Sequence, residues 1–262
     1  MSFYEYKCGN REYLRSSLFP KDRVSHGFTS ALGGVSRGRI NGLNLGFRVN
    51  DNPESVRENY RLVAEDLGLS LEMTVLSKQT HTDNIRVVTK DDGGKGITKD
   101  SDIEDTDGLI CNISNMALVV FTADCIPILL YDEKSKAVGA VHSGWRGTVK
   151  KIGARAVEMM HREFGSQPEN IKAAIGPGIG PCCFEFGNDA PQYFEQKYLM
   201  TKGDKYLVDI WTMNYDILTE SGILNENIDV SEVCTVCNSD KYYSYRTHRD
   251  KTGRQAAIIM LK

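Results

Sequence analysis

The chain has 262 residues, of which 40% are hydrophobic and 26% charged, with a formal net charge of −3 at pH 7. This is the composition of an ordinary globular protein and excludes a disordered or fibrous chain. The mildly acidic balance offers nothing to a polyanion, so the expected partner is a small molecule rather than nucleic acid.

The first residues lack the basic start and apolar run of a signal peptide, and seven cysteines make an odd number. Free thiols and a cytoplasmic location are therefore expected. The longest apolar stretch, residues 116–131, is interrupted by Thr122, Asp124 and Pro127, so no membrane span is expected. Residues 22–47, rich in Gly, Ser, Arg and Asn, predict a long functional loop. The run Asp51-Asn-Pro-Glu predicts a helix start, a cap and then a proline near the first turn, carried on by Val56, Tyr60, Val63 and Leu67 at helical spacing and stopped at Gly68.

Residues 73–76 and 85–88 read as short strands around a polar turn, and the acidic stretch 91–107 reads as a mobile loop. The apolar runs 116–122 and 126–131 predict strands covered on both faces, with 137–141 as a third strand. A turn over 144–147 then leads into one long helix ending near Phe164. Residues 171–175 predict a strand, 176–181 a stiff Gly/Pro loop, 206–220 a helix and 253–261 a buried closing strand. No linker or repeat divides the chain, which predicts a single α+β domain over 1–262, monomeric or weakly self-associating.

Three residues at predicted strand ends stand out: His81, Cys125 and His142. Two imidazoles and a thiol suit a zinc ion with one open coordination position. Alternatively, Cys125 and His142 could be nucleophile and base of a cysteine hydrolase. A copper oxidase reading is weak, because the five histidines (26, 81, 142, 161 and 248) are too few for a trinuclear cluster. Asp124 could reach the same centre as a proton carrier only if the strand breaks beside it, which Pro127 makes reasonable. Arg146 beside a helix start, and the arginines at 37, 39 and 48, suit an anion. Trp145 suits either base stacking or core filling. Cys234 and Cys237, spaced as Cys-x-x-Cys without a second such pair, read as structural, as does the vicinal pair Cys182 and Cys183.

Together the segments 78–81 (KQTH), 107–109 (DGL), 122–125 (TADC), 140–147 (AVHSGWRG), 174–185 (AIGPGIGPCCFE), 243–246 (YSYR) and 252–256 (TGRQA) resemble the YfiH/YlmD-type family, also called the laccase-domain or polyphenol oxidase family. The resemblance runs from about residue 25 to the C-terminus. It implies an α/β sandwich with mixed β-sheets flanked by helices and zinc on His81, Cys125 and His142, with copper the less favoured metal. It also implies phosphorolysis of adenosine, inosine, guanosine and methylthioadenosine, and deamination of adenosine to inosine. The expected partners are then purine nucleosides and phosphate, with Asp124 and Cys125 in the chemistry and Asn44, Arg48, Arg146 and Glu185 on the substrate. One departure is Ala31, where the family often carries an arginine after Phe-Ser/Thr-Thr; a neighbour would have to supply its charge.

Overall fold

The computed structural model describes residues 3–262. The chain opens with a hairpin of β1 (Phe3–Cys8) and β2 (Arg11–Ser16), followed by β3 (Val24–Thr29), which is buried along its whole length. A strand here corrects the first part of the loop expected over 22–47, whereas residues 30–47 hold no helix or strand beyond an isolated Ser36–Gly42 bridge. Its polar side chains all find internal partners: Ser25 donates to the Leu67 carbonyl at 2.6 Å, Thr29 accepts from the Ala256 amide at 3.0 Å and His26 accepts from the Ser16 amide at 3.0 Å. Once partnered, such groups are cheap to bury, and polar composition no longer opposes a strand.

Helix α1 (Pro53–Leu67) starts at Asn52, whose side chain accepts from Glu54 N, and ends at Gly68; it buries Val56, Tyr60, Val63 and Leu67 as predicted. Next come β4 (Thr74–Leu76), β5 (Ile85–Val87), β6 (Gly108–Cys111), β7 (Ala117–Thr122), β8 (Ile126–Asp132) and β9 (Ala137–Ser143). The acidic stretch 91–107 is packed rather than loose. Ile97 and Ile103 are buried in it, and buried Asp92 binds Thr89, Lys95 and Arg86.

The expected long helix is two, α2 (Trp145–Val149) and α3 (Ile152–Phe164), divided where Lys151 takes a φ of 58°. After β10 (Ile171–Ile175) come β11 (Glu185–Phe186), β12 (Leu199–Lys202), β13 (Lys205–Val208) and α4 (Ile210–Glu220). The helix predicted from Tyr206 therefore starts late. Residues 205–208 pair with β12 and β11, and Asp209 caps the helix by accepting from Thr212 N at 3.0 Å. The chain closes with β14 (Ile228–Val230), α5 (Tyr245–His248) and β15 (Gln255–Leu261).

Two six-stranded mixed sheets result, in the orders β1-β2-β3-β15-β7-β4 and β14-β10-β8-β9-β6-β5, with a small third sheet β11-β13-β12. Alternate residues of the central strands serve different cores, as the strand period of two requires. Leu129 and Tyr131 of β8 pack with Leu118, Val120, Ala257 and Ile259 of the first sheet. Ile128 and Leu130 of β8 instead face α3 and α4 through Val157, Met160 and Ile217. Val119 and Ile258 of the first sheet turn outward to Val56, Tyr60 and Val63 of α1. The fold is thus a sandwich of two sheets with helices outside each. Its four layers explain why the strands read as unbroken apolar runs.

Two connections cross between the sheets at the same end. The three residues 123–125 carry the chain from β7 in the first sheet to β8 in the second, and the β4–β5 link does the same. These crossings bring the candidate ligands together.

Candidate metal centre and cavity

Cys125 lies on the first crossing and His81 on the second. His142 lies inside β9, one residue before its end, opposite Pro127 of β8. β9 thus runs past the point where the sequence suggested it would stop. The ligand atoms of His81, Cys125 and His142 all lie within 4.8 Å of one another. Cys125 Sγ is 3.7 Å from His81 Nε2, and the two imidazole rings sit edge to face with centroids 5.0 Å apart.

Gly144 closes the back of the trio. A Cβ there would lie 2.8 Å from His81 Cδ2, 3.3 Å from Cys125 Sγ and 3.5 Å from His142 Cε1. Any side chain at this position would have to push the His81 ring aside.

Asp107, placed just before β6, organises the centre from behind. Fully buried, its carboxylate accepts from His142 Nδ1 at 2.7 Å, from the His81 amide at 3.0 Å, and from the Thr82 amide and hydroxyl at 2.8 Å each. Burial opposes its charge, but these donors outweigh it and hold the carboxyl down at about 2. The bond to Nδ1 leaves Nε2 of His142 as the free ligand atom. Burial likewise opposes charge on Cys125 and His142, yet each steadies the other: the thiol is pulled to about 6 and the imidazole raised to about 9. A thiolate ready for a cation follows. The donor set of one thiolate and two imidazoles fits a zinc-type ion, and among the described residues no fourth ligand joins the cluster.

The trio opens onto a cavity of about 550 Å³. Phe47, Phe121, Trp145, Phe184 and Tyr245 give it aromatic surface, and Arg48, Arg246 and Arg254 give it positive charge. Arg254 is the most telling of the three. Its Nη1 donates only to the carbonyls of Gly253 at 2.9 Å and Thr252 at 3.5 Å, and among the described residues no carboxylate pairs with it, Arg48 or Arg246. Burial depresses the pKa of Arg254.

Asp124 lines the same cavity with a φ of 93°, the chain break that its position before Cys125 required. Its Oδ1 accepts from the Thr235 hydroxyl at 2.7 Å and its Oδ2 from the Arg246 amide at 2.6 Å, so it also fixes the start of α5.

The other sequence candidates are scattered. Arg48 is in the cavity wall, but Arg146, Asn44 and Glu185 are not. Arg146 is exposed and lies over the Trp145 ring at 4.2 Å. Glu185 turns to Lys205 at 2.6 Å and Lys202 at 3.4 Å. Asn44 is fully buried and acts behind the wall, accepting from the Arg254 amide at 2.9 Å and the Gly46 amide at 3.0 Å. Ala31 is not in the wall either, its carbonyl accepting from Leu43 N at 2.7 Å.

Sequence reasoning assigned no role to Asp107, Arg246 or Arg254. All three stood inside motifs it singled out, yet none has a local pattern that distinguishes it from a surface charge. The remaining histidines are elsewhere: His26 on the Ser16 amide in β3, His161 on the Ser166 carbonyl in α3, and His248 at the end of α5. A trinuclear copper cluster finds no ligand set among them.

Residues 25–262 match the family model described as multi-copper polyphenol oxidoreductase laccase. The chain is 35% identical over 247 residues to a protein of Bacillus subtilis (strain 168) called purine nucleoside phosphorylase YlmD, covering 91% of this chain and 89% of that one. Among solved structures, that of YlmD from Geobacillus stearothermophilus superposes with a TM-score of 0.91 at 32% identity, covering 100% of this chain and 99% of the other. That of YfiH from Bacillus licheniformis gives 0.87 at 36%, covering 91% and 93%.

Proposed function

The chain belongs to the multi-copper polyphenol oxidoreductase laccase family, and from that premise we propose that it is a zinc-dependent purine nucleoside phosphorylase, one laccase-type domain over residues 1–262. Its substrates are adenosine, inosine, guanosine and methylthioadenosine, which it cleaves with phosphate to the free base and ribose 1-phosphate or methylthioribose 1-phosphate; it also deaminates adenosine to inosine. The observation that carries the reading is the joining of the His81, Cys125 and His142 trio to unpaired Arg254 in one cavity large enough for a nucleoside.

His81, Cys125 and His142 would hold the ion, which supplies Lewis acidity at its open position. The arginines at 48, 246 and 254 receive the phosphate dianion and bring it against the ribose, so part of the barrier is met by positioning. The aromatic wall takes the flat base and excludes water. Asp124, with lone pairs beyond the two it commits to Thr235 and Arg246, takes or returns a proton at the base. Asn44 keeps Arg254 at its station, and Glu185 enters only through its carbonyl, which accepts from Arg246 Nη2 at 3.1 Å.

A second reading has one observation in its favour: Asp107, His142 and Cys125 also form the chain of a cysteine hydrolase, with an oriented histidine and a thiolate. One experiment tests both. The zinc-loaded protein is incubated with adenosine and with inosine, with and without phosphate, and the products are separated by chromatography. Phosphate-dependent release of base supports the phosphorylase and inosine from adenosine the deaminase. No turnover of any nucleoside by fully metallated protein would overturn the reading.

A further inference from the structure

Four of the seven cysteines gather at a second place. Cys182 and Cys183 follow the Gly/Pro loop after β10, and Cys234 and Cys237 follow β14; all four Sγ atoms lie within 4.8 Å of one another. Cys237 Sγ is 3.5 Å from both Cys182 Sγ and Cys183 Sγ. This equidistance singles out no pair for a disulfide. In a tetrahedron with metal–sulfur bonds of about 2.3 Å the sulfurs stand about 3.8 Å apart, close to the two 3.5 Å separations and inside the 4.8 Å that encloses all four.

The backbone is arranged around the same point. Neighbouring residues of a strand face opposite ways, but Cys182 and Cys183 sit in a tight turn, with the Cys183 and Phe184 amides both donating to Gly180 O at 3.0 and 2.9 Å. Both thiols can therefore converge. The Gly180 amide donates to Cys234 Sγ at 3.3 Å, a bond that suits a thiolate acceptor and that orients metal-bound sulfur. Only glycine allows it, since a Cβ there would lie 3.2 Å from Cys234 Cβ and 2.7 Å from Trp211 Cη2. Across the cluster, Asn238 N and Nδ2 both donate to Cys234 O, at 3.1 and 2.8 Å, closing the Cys-x-x-Cys turn. Cys182 and Cys237 are exposed and give an ion its way in, while buried Cys234 anchors the floor.

We propose that Cys182, Cys183, Cys234 and Cys237 form a second metal site, a closed tetrathiolate that takes one zinc ion. Binding converts four thiols and one zinc ion to a tetrathiolate complex and four protons, with no change of oxidation state. The site is structural, because four protein ligands leave no open position. Its consequence reaches the cavity. The ion ties the 176–184 loop to the 231–237 segment, and both hold Asp124: Ile179 N donates to Asp124 O at 2.7 Å and Thr235 Oγ1 to Asp124 Oδ1 at 2.7 Å. The two segments also bond to each other, the Thr235 amide donating to Gly178 O at 3.1 Å.

Elemental analysis of the full chain, purified under reducing conditions and reloaded with zinc, tests the proposal. Two zinc ions per chain are expected for the parent, one for Cys125→Ser and one for the double variant Cys182→Ser/Cys237→Ser. Should the double variant fail to fold, cobalt added to folded Cys125→Ser decides. Strong sulfur-to-cobalt charge transfer with tetrahedral d–d bands, and cysteines 182, 183 and 237 protected from alkylation by zinc but not after chelation, support the site. A single zinc in the parent and none in folded Cys125→Ser would overturn it. So would a disulfide joining any two of the four cysteines in protein kept from oxidants, or alkylation at one rate with and without zinc.

Discussion

The carboxylate of Asp107 and the imidazole of His142, 35 residues apart, meet at 2.7 Å because the Asp107 carbonyl also accepts the His142 amide, at 2.7 Å, where β6 and β9 pair. One residue thus fixes both the backbone and the ring of a candidate ligand. Asp107→Ala is expected to weaken metal binding about 10- to 100-fold, the usual effect of losing a ligand's hydrogen-bond partner. Competition against a chelator measures it. Unaltered affinity in a folded variant would mean that the ring is oriented by other contacts.

Cys125 and Gly144 should fail in different ways. Cys125→Ala removes a ligand and is expected to abolish both stoichiometric metal at this centre and phosphate-dependent base release. Gly144→Ala keeps every ligand but places a methyl 2.8 Å from His81 Cδ2, displacing that ring. Metal retained with altered ligand geometry, visible in the cobalt spectrum, is the expected result. A Gly144→Ala spectrum identical to the parent's would show that the trio has slack.

Arginine variants separate what the sequence suggested from what the fold places. Arg254 lies in the cavity without a carboxylate partner among the described residues, whereas Arg146 lies exposed over Trp145. Arg254→Ala is expected to raise the KM for phosphate by about tenfold or more, equivalent to about 1.4 kcal/mol or more. Arg146→Ala should move it far less. Steady-state rates over a phosphate series decide, and equal effects would put the anion site at the start of α2 instead.

Acid sensitivity should come in part from β3. Burial first, and then the charge of Arg15, push His26 down to about 3, against an unfolded value of about 6.5. The depressed pKa means the unfolded chain binds a proton that the native chain refuses. His26 therefore costs nothing above pH 6.5 and removes stability as pH falls from 6.5 toward 3, at roughly 1.4 kcal/mol per unit once well below 6.5. His26→Gln, which can still accept from Ser16 N, should lose less stability than the parent between pH 7 and 4.5 in urea unfolding. An equal loss would place the titrating group elsewhere.

Much of the layered architecture was legible in the chain. Runs such as 116–122 and 126–131 are apolar on both faces because each strand packs against the other sheet on one side and a helix on the other. The start and stop of α1 were legible for a local reason, since Asn52, Pro53 and Gly68 act through their own backbone. Where a neighbour decided, local reading failed: β3 looked like loop until Ser16, Leu67 and Ala256 satisfied its polar groups, and 205–208 looked helical until β12 paired with it.

The same division runs through the site. By itself the sequence determined which side chains can bind a soft cation, because thiolate and imidazole chemistry belongs to the residue and not to its surroundings; His81, Cys125 and His142 were chosen on that ground. Only the tertiary structure decided which charges serve them. Asp107, Asp124 and Arg254 differ from surface Asp and Arg solely in where the start of β6, the crossing from β7 to β8 and the start of β15 carry them, and the four cysteines at 182, 183, 234 and 237 become one cluster only because two distant loops meet. Coordination chemistry is local, whereas convergence is a property of the packed chain.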